Sequence, residues 1–310
     1  MQEFIRQQAL SLGFDACGFA RAGYLNEDAT FLRKWLDEGM HGSMKFLENN
    51  FEKRVDPTQL VPGCKTVVVV LLNYYPQVEQ PSDSPKIARY AYSAVDYHYV
   101  IKQKLRELEN AITDAYGAHV VSREYQHSFV DSAPVLERRW AQLAGLGWIG
   151  KHKQLIAEKI GSYCFIGTLF LNTEFEPTSV LRNKCGSCTK CIDACPTNAL
   201  DNGILDARKC ISYLTIENRD EITEEFRGKL SGCVVGCDIC QEVCPWNRKW
   251  SKPHQYTELA AMNEITNWTT ENWENISSSD FKKKFKNSAL SRVGWKKLKR
   301  NIDIEKKQRI

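Results

Sequence analysis

Apolar residues recur along this chain with two different spacings, which together predict a mixture of helices and strands. Residues 2–12, 28–38 and 97–116 carry apolar side chains three and four positions apart, a pattern typical of amphipathic helices. Residues 66–74 are almost continuously apolar, which predicts a strand covered on both faces. Because strands and helices do not alternate strictly, the sequence predicts an α+β fold.

Weaker patterns predict further elements in the first half of the chain. We expect a turn at 53–57, strands at 87–93 and 120–129, and a hairpin formed by 148–157 and 163–171. A helix is expected to open at Pro134, which suits a first helical turn. Asp131 or Ser132 would cap that helix.

The strongest chemical signal lies in residues 185–196. They read Cys-x2-Cys-x2-Cys-x3-Cys-Pro, the run that holds a [4Fe–4S] cluster in bacterial-type ferredoxins and lends its fourth Cys to a second cluster. A shorter run, Cys-x2-Cys-x3-Cys-Pro, occupies 237–245, with Val234 where a further Cys would stand. The two runs predict crossed ligation. One cluster would take Cys185, Cys188, Cys191 and Cys244, and the other Cys195, Cys237, Cys240 and either Cys210 or Cys233.

Two other uses of these cysteines are less favoured. Two zinc sites with four Cys ligands each are the main alternative, but the Cys-Pro endings and the crossed spacing suit cubane clusters better. Disulfides are disfavoured because Glu3 and Arg6 stand where a signal peptide needs an apolar run. We therefore expect a soluble, cytoplasmic protein without membrane contact. The cysteines outside the two cluster sets are expected to be buried small hydrophobes: Cys17, Cys64, Cys164 and Cys233.

Charge is unevenly distributed over the 310 residues. The formal net charge is +4, but residues 281–310 alone carry 12 Lys and Arg against two acids. A segment this basic predicts a surface for nucleic acid or for an acidic partner. A solvated terminal helix is the alternative. The length gives ample material for a buried core and suggests about two domains.

Several segments together with the Cys runs resemble one family. They are KRVDP (53–57), VPGCKTVVVVLLNYYP (61–76), RYAYSAVDYHYV (89–100) and VDSAPVLERRWAQLAGLGWIGKH (130–152). The combination resembles the epoxyqueuosine reductases, cobalamin-dependent iron–sulfur enzymes of queuosine tRNA modification. The resemblance implies a cobalamin-binding α+β domain related to reductive dehalogenases (1–175), a ferredoxin-like domain with two [4Fe–4S] clusters (176–250) and a basic helical segment (251–310). Many members continue into helical repeats that help hold tRNA, so here the basic segment would carry more of that contact, or tRNA affinity would be lower.

The resemblance also implies roles for individual residues. Asp131 would donate a proton to the substrate, and Cys210 rather than Cys233 would complete the second cluster. Cobalamin would be bound base-off with no protein His on cobalt, which agrees with Ile101 standing where the Asp-x-His-x-x-Gly signature needs Gly. Its expected contacts are Arg54, Asp131, Leu155, Ile166, Ser212 and Asp238. The tRNA anticodon loop would be held by Arg219, Lys282, Lys283, Lys284, Lys296, Lys297 and Arg300. An external donor would supply electrons to a monomeric enzyme.

Simpler interpretations stand beside these roles. Arg54 could be a surface residue of a turn, Ser212 and Asp238 could cap loops, and His98 could be structural. Three further residues either line the pocket or are solvated: Arg138, Lys151 and His152. Rival functions are a corrinoid reductase acting on a small molecule and a two-cluster electron-transfer protein. A flavin-bearing iron–sulfur oxidoreductase is disfavoured because no GxGxxG follows a strand.

Overall fold

The structure is a computed structural model that describes residues 1–117, 127–201 and 203–307. Within these ranges the α-helices are α1 (Gln2–Ser11), α2 (Asn26–Asp37), α3 (Phe51–Val55), α4 (Pro57–Leu60), α5 (Tyr97–Tyr116), α6 (Glu137–Leu143), α7 (Lys190–Asp193), α8 (Ile211–Ile216), α9 (Glu224–Arg227), α10 (Ile239–Glu242), α11 (Pro245–Trp250), α12 (Asn263–Asn267), α13 (Thr270–Asn275), α14 (Ser278–Phe285), α15 (Leu290–Val293) and α16 (Trp295–Lys307). The strands are β1 (Ala16–Arg21), β2 (Thr66–Asn73), β3 (Lys86–Ile87), β4 (Ser128–Phe129), β5 (Trp148–Ile149), β6 (Leu155–Ile156), β7 (Cys164–Leu171), β8 (Leu200–Asp201), β9 (Ile204–Leu205) and β10 (Cys233–Val235).

A central antiparallel sheet has the strand order β1-β2-β7-β4. Every residue of β2 is buried, and its side chains alternate between two cores. Val68 and Val70 face the core that contains α5, whereas Val67 and Val69 face the core that contains α6. The expectation of a strand covered on both faces is confirmed, because period-2 alternation gives each face its own apolar layer.

The larger core joins distant parts of the chain. Ile5 of α1 and Ile101 of α5 belong to the same apolar cluster as Trp273, Phe285 and Ile302 from the C-terminal helices. The basic segment is therefore folded against the sheet and α5, with its apolar side chains turned inward and most of its lysines outward. The predicted domain boundaries at 175 and 250 stay a prediction.

The cysteine-rich part is attached to the same body by a short parallel pairing of β10 with β3. Helices α7 and α10 follow the starts of the two Cys runs and pack against each other. Helices α8 and α11 begin directly after Cys210 and Cys244, which are their N-caps. Short helices therefore lie within or directly after each run.

The long helices agree with their predicted positions, but several short elements differ. The hairpin predicted for 148–157 with 163–171 is wrong: β5 pairs with β6, and β7 pairs with β2 and β4. The strand predicted for 87–93 is largely wrong, since β3 ends at Ile87 and a 3-10 helix spans Arg89–Ala91. The turn predicted at 53–57 instead holds the end of α3 and the start of α4, capped by Asp56. Most of the strand predicted at 120–129 lies outside the described residues.

The predicted capping role of Asp131 or Ser132 is also wrong. Helix α6 begins only at Glu137, its N-cap is Leu136, and no side chain caps it. Asp131 has a left-handed backbone conformation with φ of 55°, which Asp tolerates better than most residues. In the described ranges, none of the helices combines the length and apolar character needed to cross a bilayer.

Candidate active site

A cavity of about 670 Å³ opens between the sheet, the cysteine-rich part and the C-terminal helices. Tyr97 and Phe165 form part of its apolar wall, with their rings stacked at 4.0 Å between centroids. Polar groups from four regions of the chain also reach it, among them Asp131, Asp238 and Lys297. A cavity of this size with mixed walls suits a ligand of drug size or larger.

Asp131 is held in the cavity wall by the start of α5. The Tyr97 hydroxyl donates to Asp131 Oδ2 at 2.8 Å, and His98 Nε2 lies 3.4 Å from the same oxygen. The Asp131 side chain is still 59% exposed to the open cavity. Burial by itself would raise the pKa of Asp131, but the contacts with His98 and Tyr97 hold it below its ordinary value. In this arrangement the Asp131 carboxylate is therefore the favoured form.

His98 links Asp131 to a second carboxylate. Its Nδ1 lies 2.7 Å from Asp96 Oδ1, and Arg292 Nε of α15 pairs with Asp96 Oδ2 at 3.1 Å. Burial by itself would lower the pKa of His98, yet the contacts with Asp131 and Asp96 raise it above its ordinary value. The result is a row of four groups, Arg292–Asp96–His98–Asp131, that ends at the cavity.

The start of α6 adds further titratable groups to the wall. Glu137 Oε1 accepts a hydrogen bond from the Asp131 backbone N–H, and burial raises the pKa of Glu137 to about 8. Arg138 and His152 also line the cavity. Burial lowers the pKa of His152 to about 4, so its imidazole is neutral at pH 7. Its Nε2 is buried without a hydrogen-bond partner in the described part of the chain.

The eight predicted cluster cysteines form two neighbouring sets. All four members of the inner set line the cavity: Cys195, Cys210, Cys237 and Cys240. Burial and the neighbouring thiols of Cys237 and Cys210 raise the pKa of Cys240. Among the described residues that line the cavity, none belongs to the outer set, which comprises Cys185, Cys188, Cys191 and Cys244. Burial and the thiols of its three partners likewise raise the pKa of Cys191. The two sets adjoin, because Cys191 also acts on the pKa of Cys240.

Cys210 and Cys233 both lie near Cys237, but in different surroundings. Cys233 is buried in β10 within a small apolar core, and its thiol forms a hydrogen bond that helps to raise the pKa of Cys237. Cys210 lines the cavity as the N-cap of α8, where backbone N–H groups of Ser212 and Tyr213 face its sulfur. Such donors stabilise a thiolate, although burial outweighs them and raises the pKa of Cys210 to about 11. The surroundings of Cys210 therefore suit a cluster ligand better.

The predicted cofactor contacts divide into two groups. Ile166, Ser212 and Asp238 line the cavity together with Asp131, whereas Arg54 and Leu155 do not. Arg54 is buried, donates to the Phe46 carbonyl at 3.1 Å, and leaves its Nε without a partner in the described ranges. The buried Asp238 carboxylate accepts from the Arg89 backbone N–H at 2.8 Å. The cofactor roles of all these residues stay predictions.

The predicted tRNA contacts also divide into two groups. Arg219, Lys282, Lys283 and Lys296 are exposed, and so is Lys284, which pairs with Glu264 at 2.9 Å. Lys297 and Arg300 instead turn toward the end of α8. Arg300 donates to the Leu214 carbonyl at 2.8 Å, and Lys297 donates to the Ile216 carbonyl. These two cations thus stabilise the C-terminal carbonyls of a helix.

Sequence reasoning missed the contribution of the C-terminal helices to the cavity. Ala289, Arg292 and Lys297 line it, although the charge pattern marked this segment only as an outer surface. Asp96 and Glu137 were also missed as neighbours of Asp131. The only signal for Asp96 in the sequence was its position before His98. Lys151, which was expected to line the pocket or be solvated, donates to the Cys188 carbonyl at 2.9 Å.

Comparison with known proteins agrees with this arrangement. Residues 54–132 match the family model described as epoxyqueuosine reductase QueG, DUF1730, and residues 184–247 match the 4Fe-4S double cluster binding domain. The epoxyqueuosine reductase of Cellulophaga algicola is 45% identical over 305 residues, covering 98% of this chain and 97% of that one. The chain belongs to the epoxyqueuosine reductase family. It is therefore an oxidoreductase, and the family resemblance of the sequence is confirmed.

Solved members of the epoxyqueuosine reductase family share the whole fold. A crystal structure of an epoxyqueuosine reductase with an epoxyqueuosine-modified tRNA-Tyr stem loop is 32% identical, with a TM-score of 0.86 over 99% of this chain and 81% of that chain. The Aliivibrio fischeri enzyme is 37% identical, covering 97% of this chain and 81% of its own length. The expected α+β fold with a two-cluster domain is confirmed.

Proposed function

We propose that this protein reduces epoxyqueuosine to queuosine in the anticodon loop of tRNA. The observation that carries the proposal is the cavity wall, which all four cysteines of the inner set line together with Asp131. Removal of the epoxide oxygen consumes two electrons and two protons and releases one water. An electron carrier without a substrate would have no use for this cavity. The enzyme would act as a monomer in the cytoplasm.

We propose that the outer and inner thiol sets each hold one [4Fe–4S] cluster. The crossed Cys-x3-Cys-Pro ends of both runs support this assignment, since each run lends its last Cys to the other set. Two adjoining clusters suit electron transfer in single steps. The match of residues 184–247 to a double cluster domain supports the same conclusion.

The lining of the cavity supports a corrin as the bound group. Its wall offers apolar side chains, amide and carboxyl groups, and the partner-free Nε2 of the buried His152. We propose that Ile166, Ser212 and Asp238 hold cobalamin in this cavity in the base-off form, without a His on cobalt. Cobalamin, when bound, supplies the low-valent metal that reduces the epoxide, while the chain provides orientation and protons.

We propose that the row of groups behind Asp131 delivers the proton. His98 is favoured as its cation between two carboxylates, and Asp131 is favoured as its anion. Once the 3.4 Å contact between His98 Nε2 and Asp131 Oδ2 shortens to a hydrogen bond, a proton can move across it and then to the oxygen that leaves the substrate. Asp96 and Arg292 would keep the His98 ring in place. General acid help of this kind contributes about 10²- to 10⁴-fold.

We propose that exposed cations of α14, of α16 and of the segment after α8 bind the tRNA backbone. The exposed residues of the predicted set are the best candidates, namely Arg219, Lys282, Lys283, Lys284 and Lys296. A base splayed out of the anticodon loop can enter a pocket that a paired base cannot reach. The solved relative with a modified tRNA stem loop supports this substrate.

The decisive experiment is a nucleoside assay. Cluster-loaded protein with cobalamin and a chemical reductant is incubated with tRNA that contains epoxyqueuosine, and the digested nucleosides are analysed by mass spectrometry. We expect loss of 16 mass units, about one oxygen, from the modified nucleoside, and only when cobalamin is present. Unchanged epoxyqueuosine with fully loaded protein would refute the proposal.

A further inference from the structure

The surface around the outer thiol set is open to solvent. Between Arg182 and Lys190 all residues are exposed except the two half-buried cysteines of the set, Cys185 and Cys188. The inner set instead faces the cavity. Cys237 of the inner set also lines a second cavity, of about 180 Å³, whose wall carries the carboxylates of Glu79 and Glu242. For a carrier from outside, the exposed segment makes the outer set the more accessible entry point.

A basic patch surrounds this entry point, and we define it by five exposed cations: Arg182, Lys184, Lys190, Arg248 and Lys249. Two acidic residues lie close to it. Glu158 pairs with Lys184, and the Asp193 carboxylate accepts a hydrogen bond from the Thr189 hydroxyl and keeps its charge. Residues 245–252 contain no acid at all. Five cations against the two carboxylates of Glu158 and Asp193 leave the patch with a positive excess.

A cluster of three tryptophans ties the basic patch to the outer set. Trp148, Trp246 and Trp250 pack edge to face and side by side at 4.7–6.0 Å between centroids. Cys185 and Cys244 belong to the same apolar cluster. Lys184 lies 5.8 Å from the Trp148 ring, and Lys249 lies 5.8 Å from the rings of both Trp246 and Trp250. Cations of the patch therefore stand over aromatic side chains that contact the set, a mixture typical of interface centres.

We propose that the basic patch is the docking surface for an acidic one-electron carrier protein with a flavin or iron–sulfur centre. The inference rests on the proposed function, which needs two electrons for each epoxide. Two docking events, each oxidising the carrier by one electron, satisfy that demand. Charge complementarity selects this occupant, since opposite surface charges steer association and raise its rate about 10- to 10³-fold at low salt.

The test follows reduction of the clusters rather than turnover. Oxidised, cluster-loaded protein is mixed in a stopped-flow instrument with a photoreduced acidic flavodoxin, and separately with the methyl viologen radical, which needs no docking. The test variant carries Arg182→Glu, Arg248→Glu and Lys249→Glu. The matched control carries Lys34→Glu, Lys45→Glu and Arg106→Glu, three exposed cations outside the patch with the same change of charge.

We expect the test variant to be reduced by flavodoxin about tenfold more slowly or worse at low salt, with viologen rates within about twofold of wild type. The control should keep both rates. For the wild type, reduction by flavodoxin should slow as ionic strength rises. A salt-independent wild-type rate overturns the proposal even if the test variant fails to fold, and so does an equal loss in the control.

A tRNA-binding assay tests whether the basic patch binds RNA instead of an electron carrier. If the test variant loses affinity for the modified stem loop but keeps its rate with flavodoxin, the basic patch binds RNA and the proposal is wrong. Failure of viologen-driven turnover in the wild type would instead refute the proposed function. The stopped-flow measurement of cluster reduction would still report on docking in that case.

Discussion

The inner and outer thiol sets come from nearly the same motif, yet they lie in opposite surroundings. The inner set opens on a cavity whose wall carries both carboxylates, such as Asp131 and Asp238, and the cations Arg292 and Lys297. The outer set lies under exposed lysines and arginines. The comparison teaches that spacing along the chain determines which metal group can be held, whereas the surrounding fold determines what that group exchanges electrons with.

The sharpest test of the inner set is Cys210→Ser, paired with Cys233→Ser. We expect the first variant to lose about four of about eight irons and all detectable turnover, because a cluster without its fourth thiolate is unstable. The second should keep its iron and its activity, since Cys233 packs in an apolar core. Iron analysis and electron paramagnetic resonance of the reduced proteins measure both. If Cys233→Ser loses iron and Cys210→Ser keeps it, Cys233 is the cluster ligand and Cys210 is not.

Asp131→Asn tests whether the inner side performs proton chemistry as well as electron transfer. We expect kcat to fall about 10²- to 10⁴-fold, with the absorption spectrum of bound cobalamin unchanged. Glu137→Gln is the matched control, because Glu137 contacts the same loop through a backbone N–H. Full turnover by the Asn variant would leave Asp131 with a structural role only.

Two neighbouring lysines of α16 also differ in their surroundings, one exposed and one facing the cavity. Lys296 is exposed, whereas Lys297 lines the cavity and donates to a carbonyl of α8. We expect Lys296→Ala to lower the salt dependence of tRNA binding by about one counterion. Lys297→Ala should leave that slope unchanged and lower the thermal stability. Fluorescence anisotropy over a series of salt concentrations, with thermal melts, distinguishes the two.

The smallest expected effect concerns pH. In the folded state the pKa of Glu137 is raised to about 8, above its ordinary value. At any pH between the ordinary pKa and about 8, the folded state therefore binds more protons than the unfolded state. The contribution of Glu137 to the free energy of unfolding is complete below the ordinary pKa and is lost as pH rises through about 8. Glu137→Gln should remove that loss. The melting temperature of the variant, relative to wild type, should be higher at about pH 9 than at about pH 5.

Much of the fold could be predicted because its strongest patterns are local. The apolar run of β2 and the period of α5 each identify an element from neighbouring residues alone. The pairing of β7 with β2 could not be predicted in this way, since a partner strand 91 to 105 positions away competes with a near neighbour on equal terms. Two-residue strands such as β3 and β5 carry too few positions for any period.

The residues of the candidate site also divide into those that local sequence predicts and those that depend on distant contacts. The Cys runs predict the cluster ligands from spacing alone, because the motif itself favours the ligand geometry. The contact of Asp96 with His98 and Arg292 depends on α15 reaching the start of α5, 196 positions away in the chain. The basic composition of the C-terminal segment predicted a surface. It did not predict which cations of that segment turn inward. Only the packing of Trp273 and Phe285 in the main core fixes that choice.

That packing bears on how the molecule can be shortened. Trp273, Phe285 and Ile302 fill the same apolar layer as Ile5 and Ile101, so a fragment cut after Trp250 would expose one side of α5 to water. Expression of residues 1–250 should yield insoluble material rather than a smaller enzyme. Adding the missing helices as a separate peptide would have to rebuild a hydrophobic interior, and not merely attach an accessory arm.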